Sequence, residues 1–184
     1  MDLKFKKDAT SNRFSRLGTW YILALSVIAT VAIIGQVLIQ NHLKDQLSDS
    51  RVVNMAGRQR MLSQRISKGS LSLLTIRDSV SRKRVHEELK YSLNLWKTSQ
   101  DGLLYGNDSL RLPGENSEVI KDMFEDISVH FNEMYASTSQ VISMLDTNVV
   151  VNDDVLRPYV SNILSHEASF LSGMEKIVFR FDFE

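Results

Sequence analysis

The sequence predicts an all-α protein: an antiparallel up-down-up-down four-helix bundle with an N-terminal transmembrane helix continuous with the first bundle helix. Three observations carry this. Only 2 prolines and 8 glycines punctuate 184 residues. Long stretches repeat apolar residues at three- and four-residue steps, as helices require. The 27 residues from Leu17 to Leu43 contain no charge.

The uncharged run comes first in the chain. Its interior, Trp20 to Ile39, is mostly Ile, Val, Leu and Ala, without proline. A hydrocarbon core of about 30 Å needs roughly 20 helical residues, so the run is long enough to span. Trp20 and Tyr21 stand where an aromatic belt would. Ahead of them lie Lys4, Lys6, Lys7, Arg13 and Arg16 against Asp2 and Asp8, which by the positive-inside rule keeps the N-terminus in the cytoplasm. A cleaved signal peptide is the alternative, but the run exceeds a typical h-region and no good small-x-small site comes after it. The expected organisation is a cytoplasmic tail over 1–18, a transmembrane helix over 19–41 and a four-helix domain over 42–184 on the outer side of the membrane.

The first helix meets no breaker through Asn41 and Gly57 and should continue to about Arg77, well beyond the bilayer. A second, from about Ser81 to Leu103, places Val85, Leu89, Leu93, Trp96 and Leu103 on one stripe, with Arg, Lys and Glu on the other side. Residues 105–116 hold Gly106, Asn107, Asp108, Pro113 and Gly114, which is turn chemistry, and Asn116 or Ser117 can cap a third helix. That helix repeats Ile120, Phe124, Ile127, Phe131, Met134, Thr138, Val141 and Leu145 at alternating three- and four-residue steps. After a turn at Thr147 to Asn152, Asp153 or Asp154 begins a fourth, with Leu156, Val160, Ile163, Phe170, Met174 and Ile177 inward. Short loops imply antiparallel neighbours.

Composition narrows the function. With 22 basic and 22 acidic residues, nothing global attracts the chain to nucleic acid. The absence of cysteine excludes disulfides, thiolate metal sites, covalent haem and a cysteine nucleophile. Phosphate-cradling glycine loops and nucleophile elbows are missing. No catalytic residue, metal or cofactor is assigned, and the chain does not read as an enzyme. His86, His130 and His166 fall on three different helices without the spacing of a helical metal motif, so a metal or haem is the weaker reading beside partly exposed structural histidines.

Residues 53–68 concentrate unusual chemistry within about four turns. At about 100° per residue, Met55, Leu62, Ile66 and Leu73 cluster and define the face toward the bundle. Val53, Gly57, Arg60 and Gln64 fall opposite, with Arg60 pointing directly away from the core, while Arg58 and Arg65 flank the core stripe. Glycine in a helix interior costs about 1 kcal/mol against alanine, which a close contact at Gly57 would offset. A second copy of the helix could supply it. Two Arg60 guanidinium groups would then meet near a two-fold axis, an arrangement that only a shared anion makes favourable. The residues alone leave a second reading open, in which Arg60 and Gln64 are a solvated face and Gly57 is incidental.

Asn-Met-Ala-Gly-Arg-Gln-Arg-Met-Leu-Ser-Gln-Arg, residues 54–65, resembles the signature of the N-terminal sensor domain of type IV pilus methyl-accepting chemotaxis transducers. The similarity continues in Leu95-Trp96, in Gly106 through Leu112-Pro113-Gly114, in His166-Glu167 to Phe170-Leu171 and in Met174 to Asp182, covering about residues 45–184. The periplasmic domain of the related nitrate/nitrite sensor kinases shares a shorter pattern, matched by Ala56, Gly57, Arg60, Met61, Ser63 and Arg65. In that family the arginine matching Arg60 binds an anion at the dimer interface. Arg58 and Gln59 replace small or apolar residues of those sensors and Gln64 replaces an aromatic, so nitrate specificity does not carry over.

The resemblance implies a homodimeric sensor of a small anionic ligand, serving a chemoreceptor, histidine kinase or cyclase. Its ligand candidates are Arg60, Gly57, Gln64, Arg58 and Arg65, and its interface candidates are Val53, Gly57, Arg60 and Gln64. Resembling proteins continue through a second membrane helix to an output domain, so the resemblance also implies that this chain is an N-terminal fragment. A membrane-anchored scaffold or protein-interaction bundle without a small ligand is the reading from another class. It differs in making no demand on Arg60.

Overall fold

The computed structural model describes the backbone of residues 3–147 and 151–183 and the side chains of 17–43, 50–147 and 151–183. The basic side chains at 4, 6, 7, 13 and 16 and part of the turn after Thr147 lie outside these. Among the described residues there are four helices: α1 Leu3–Leu73, α2 Ser79–Tyr105, α3 Glu118–Thr147 and α4 Asp153–Phe183. Two compact units divide the chain, Met1–Gln46 and Leu47–Glu184.

In the first unit α1 carries one helical segment long and apolar enough to cross a membrane, Leu17–Leu43, with mean hydropathy 2.6 and none of it buried. Its hydroxyls turn back onto the helix. Ser26 Oγ donates to the Ile22 carbonyl at 2.9 Å and Thr30 Oγ1 to the Ser26 carbonyl at 2.8 Å. That self-satisfaction lets polar residues sit in an apolar medium.

The second unit is a four-helix bundle. Its core takes Leu62, Ile66 and Leu73 from α1 and Val85, Leu89, Leu93, Trp96 and Leu103 from α2. From α3 and α4 come all the stripe positions expected of them, Ile120 to Leu145 and Leu156 to Ile177. At its centre Trp96 packs on Phe131 and, edge on, on Phe170, with ring centroids 4.3 and 5.0 Å away. Burying an aromatic of this size contributes on the order of 2–3 kcal/mol. Paired contacts show neighbours running antiparallel: Gln59 with Trp96 and Gly69 with Leu89, Lys90 with Asp146 and Trp96 with Phe131, Ser137 with Asn162 and His130 with His166.

The helix ends obey capping chemistry. Asp78 caps α2 by accepting from the Ser81 N–H at 2.7 Å, and that bond holds its carboxyl below the usual carboxylate range. For α3, Ser117 Oγ accepts from the Ile120 N–H. Asn116 instead donates Nδ2 to the Leu103 carbonyl at 2.7 Å, tying the α2 end to the loop. Within that loop Asn107 and Leu112 exchange both backbone hydrogen bonds, each 2.9 Å. Gly114, at φ 71°, sits so close to residues 105 and 106 that a Cβ would stand 2.1 Å from the Gly106 nitrogen. This backbone approach explains why glycine comes directly after Leu112-Pro113.

Arg82 departs from expectation. The sequence places the basic residues of α2 on its outer side, yet Arg82 is buried. Its Nη1 donates to the carbonyls of Leu73 and Ile76 at 3.1 and 3.3 Å, and its Nη2 to that of Val151 at 3.2 Å. A single guanidinium thereby satisfies carbonyls left over at the end of α1 and reaches the turn before α4. Asp153, 3.6 Å from Arg82 Nη1, also pairs with Arg77.

Candidate functional site

The face of α1 from Val53 to Lys68 is divided between holding the helix and presenting it. Ala56, Gln59, Leu62, Ser63, Ile66, Ser67 and Ser70 are buried, and Met55 is half-buried against the core. Gln59 Nε2 donates to the Trp96 carbonyl at 3.2 Å, and Ser63 Oγ to the Arg60 carbonyl at 2.9 Å. These small and amide side chains widen the inward face. They turn its centre by roughly 50–60° from the direction marked by the four apolar residues, at about 100° per residue.

That rotation corrects one expectation. Arg60 does not point directly away from the core; it flanks it, at the seam with α4. Its Nη2 lies 3.2 Å from Glu175 Oε1, with the two side chains 40% and 48% exposed. Its Nε is buried and has no partner among the described residues. Gly57, one turn earlier, is half-buried on the protomer, and a Cβ there would meet nothing within 4 Å. Val53 is half-buried and Gln64 exposed. Val53, Gly57, Arg60 and Gln64 therefore share one edge of α1 by their spacing.

Arg58 and Arg65 are exposed and lie on the far edge, about 140–160° around the helix from Arg60. No single ligand on one protomer could touch Arg60 and both of them. Met61, 46% exposed, occupies the most outward position.

Elsewhere, a cavity of about 200 Å³ lies between Val52, Leu103, Pro113, Glu115 and Phe181. His86 is buried, with Nε2 3.3 Å from Asp146 Oδ1, and Lys90 reaches the same oxygen at 3.0 Å. His130 and His166, distant in sequence, meet across α3 and α4. Helical spacing gives no sign of that pair.

The chain matches the PilJ family model, described as the type IV pili methyl-accepting chemotaxis transducer N-term, over residues 42–155. This contains the 54–65 signature and the 106–114 loop, while the α4 resemblance lies beyond it. No curated protein matches the chain. Among solved structures, the ligand-binding domain of the P. aeruginosa nitrate receptor McpN is similar at 20% identity and a TM-score of 0.44, covering 68% of this chain and 94% of that one. With a helical bundle, one apolar N-terminal helix and a family match over more than half its length, the chain belongs to the family of N-terminal domains of type IV pili methyl-accepting chemotaxis transducers.

Proposed function

We propose that residues 42–184 are the periplasmic ligand-sensing input module of a single-pass inner-membrane receptor, with residues 1–18 cytoplasmic and 19–41 in the bilayer. It is not an enzyme. The module works as a homodimer and binds a small anion between the two Arg60 side chains, with Gly57 and Gln64 beside them and Val53 in the interface. The observation that supports this most is Arg60 itself: among the described residues its Nε is buried without a partner and Nη2 is held by a half-exposed carboxylate, next to the open side of Gly57.

The chemistry comes from that arrangement. Two facing guanidinium groups repel, and an anion accepting from both removes the repulsion and draws the first helices together. The incoming anion competes with Glu175 for the same donors, so binding changes an α1–α4 contact as well as an α1–α1 distance. Coupling of this kind is how a ligand on α1 alters bundle packing. Arg58 and Arg65, on the opposite edge, contribute positive potential and no direct contact.

A thermal-shift screen of the full chain in detergent against nitrate, sulfate, acetate and small dicarboxylates tests the reading. An anion that binds the native state must raise Tm. The rise should be present in the wild type and absent in Arg60→Ala. A scaffold without a ligand would show no anion-specific rise in either.

A further inference from the structure

Away from the α1 face, the bundle brings two imidazoles into register. His130 on α3 and His166 on α4 face each other with Nδ1 2.9 Å from Nδ1 and ring centroids 5.1 Å apart. Both are half-buried, so solvent reaches them. Their backbones are held by the core: His130 directly precedes Phe131, His166 lies one turn before Phe170, and both phenylalanine rings pack on Trp96.

In the neutral pair, one ring donates Nδ1–H to the lone pair of the other, and only one hydrogen bond results. The same gap accommodates a metal ion. With metal–nitrogen bonds of about 2.0–2.1 Å, two nitrogens on one ion stand about 2.9 Å apart at a right angle and about 3.3 Å apart at the tetrahedral angle. The observed separation lies at the short end of that range, and a movement of a few tenths of an ångström spans the rest. The donating ring needs only to move its hydrogen from Nδ1 to Nε2, after which both lone pairs face the ion and no proton is lost.

We propose that His130 and His166 form a site for a divalent transition metal ion of the imidazole-preferring kind, Zn²⁺, Cu²⁺ or Ni²⁺, which clamps α3 to α4. A carboxylate stands nearby to favour a cation. Glu133, one turn along from His130, accepts at Oε2 from Asn162 Nδ2 at 3.0 Å, and Asn162, one turn before His166, also donates to Ser137 Oγ at 2.8 Å. Among the described residues no group of three or more His, Cys, Asp or Glu surrounds an ion. The ion therefore keeps water in its remaining positions, which makes it exchangeable, unlike the closed cage of a structural zinc site.

Calorimetric titration of the full chain in detergent with Zn²⁺, repeated on His130→Ala, His166→Ala and His42→Ala, tests the site. One equivalent per chain should disappear in each of the first two variants and remain in the third. With Cu²⁺, electron paramagnetic resonance should show nitrogen coupling from two imidazoles that either substitution reduces. His130→Asn and His166→Asn, which keep a polar side chain in the seam, should lose the ion while melting close to the metal-free wild type. An unchanged Zn²⁺ stoichiometry in His130→Ala and His166→Ala, or no saturable binding by the wild type, would overturn the proposal.

Discussion

Arg60 on α1 and Glu175 on α4 are joined across the bundle seam, Nη2 to Oε1 at 3.2 Å, on a guanidinium whose Nε has no partner among the described residues. Half-exposed ion pairs contribute little to stability, about 0.2–1 kcal/mol. This one matters more as a competitor. In Glu175→Gln the anion no longer displaces a carboxylate, so affinity for an anion that shifts Tm should rise about two- to fivefold while the melting temperature of the free protein barely changes. An affinity lowered by the substitution would mean that Glu175 supports the site instead of opposing it.

Arg82 should be the most destabilising single polar site in the bundle. Replacing it by alanine leaves the buried carbonyl of Leu73 and the part-buried carbonyls of Ile76 and Val151 without this donor. The expected cost is about 2–4 kcal/mol. Arg82→Lys should recover only part of it, because one ammonium cannot span the three acceptors. Urea denaturation of both variants decides. A loss below about 0.5 kcal/mol in Arg82→Ala would show that water replaces the guanidinium at no cost.

Acid should weaken the same end of the bundle. The Arg77 hydrogen bond, then the charges of Arg77 and Arg82, hold the Asp153 carboxyl below its ordinary value of 3.8. A depressed carboxylate stabilises the fold fully above its unfolded value, and that contribution fades as pH falls below 3.8 toward the lower folded value. Wild type should therefore exceed Asp153→Asn in stability at neutral pH, and the two should converge on acidification below 3.8. A difference that stays constant through that acid range would remove Asp153 from the acid response.

A chain without cysteine allows clean cross-linking of the first helices. Oxidation should link subunits efficiently from cysteines at 53, 57 and 64 and poorly from 55, 62 and 66. Gly57→Cys should be accommodated within the protomer, since nothing lies within 4 Å of its Cβ. Preferential linking from 61 and 68 would turn the interface toward Met61 and move Arg60 off the two-fold axis.

Periodicity makes α3 and α4 legible, because their inward residues are nearly all large and apolar and every expected stripe position is buried. It misleads on α1, where buried Gln59, Ser63, Ser67 and Ser70 read as surface in a count of apolar residues. Arg82 escapes it for the same reason: a charged residue is ordinarily solvated, and the unpaired carbonyls that draw it inward belong to other elements. The meeting of His130 with His166 depends on how α3 slides against α4. Helical spacing describes one helix at a time and carries no such register. Gly57 and Arg60, by contrast, stand out from local chemistry alone.

Calorimetric titration of the most stabilising anion from the screen, into the wild type, Arg60→Ala and Arg58→Ala in the full chain, tests the ligand site most directly. Loss of a charge-assisted contact costs about 1.5–3 kcal/mol, so Arg60→Ala should weaken binding roughly ten- to hundredfold. Arg58→Ala, on the opposite edge of α1, should change affinity by less than about threefold. Unchanged affinity in Arg60→Ala, or a greater loss in Arg58→Ala, would contradict an Arg60 anion site.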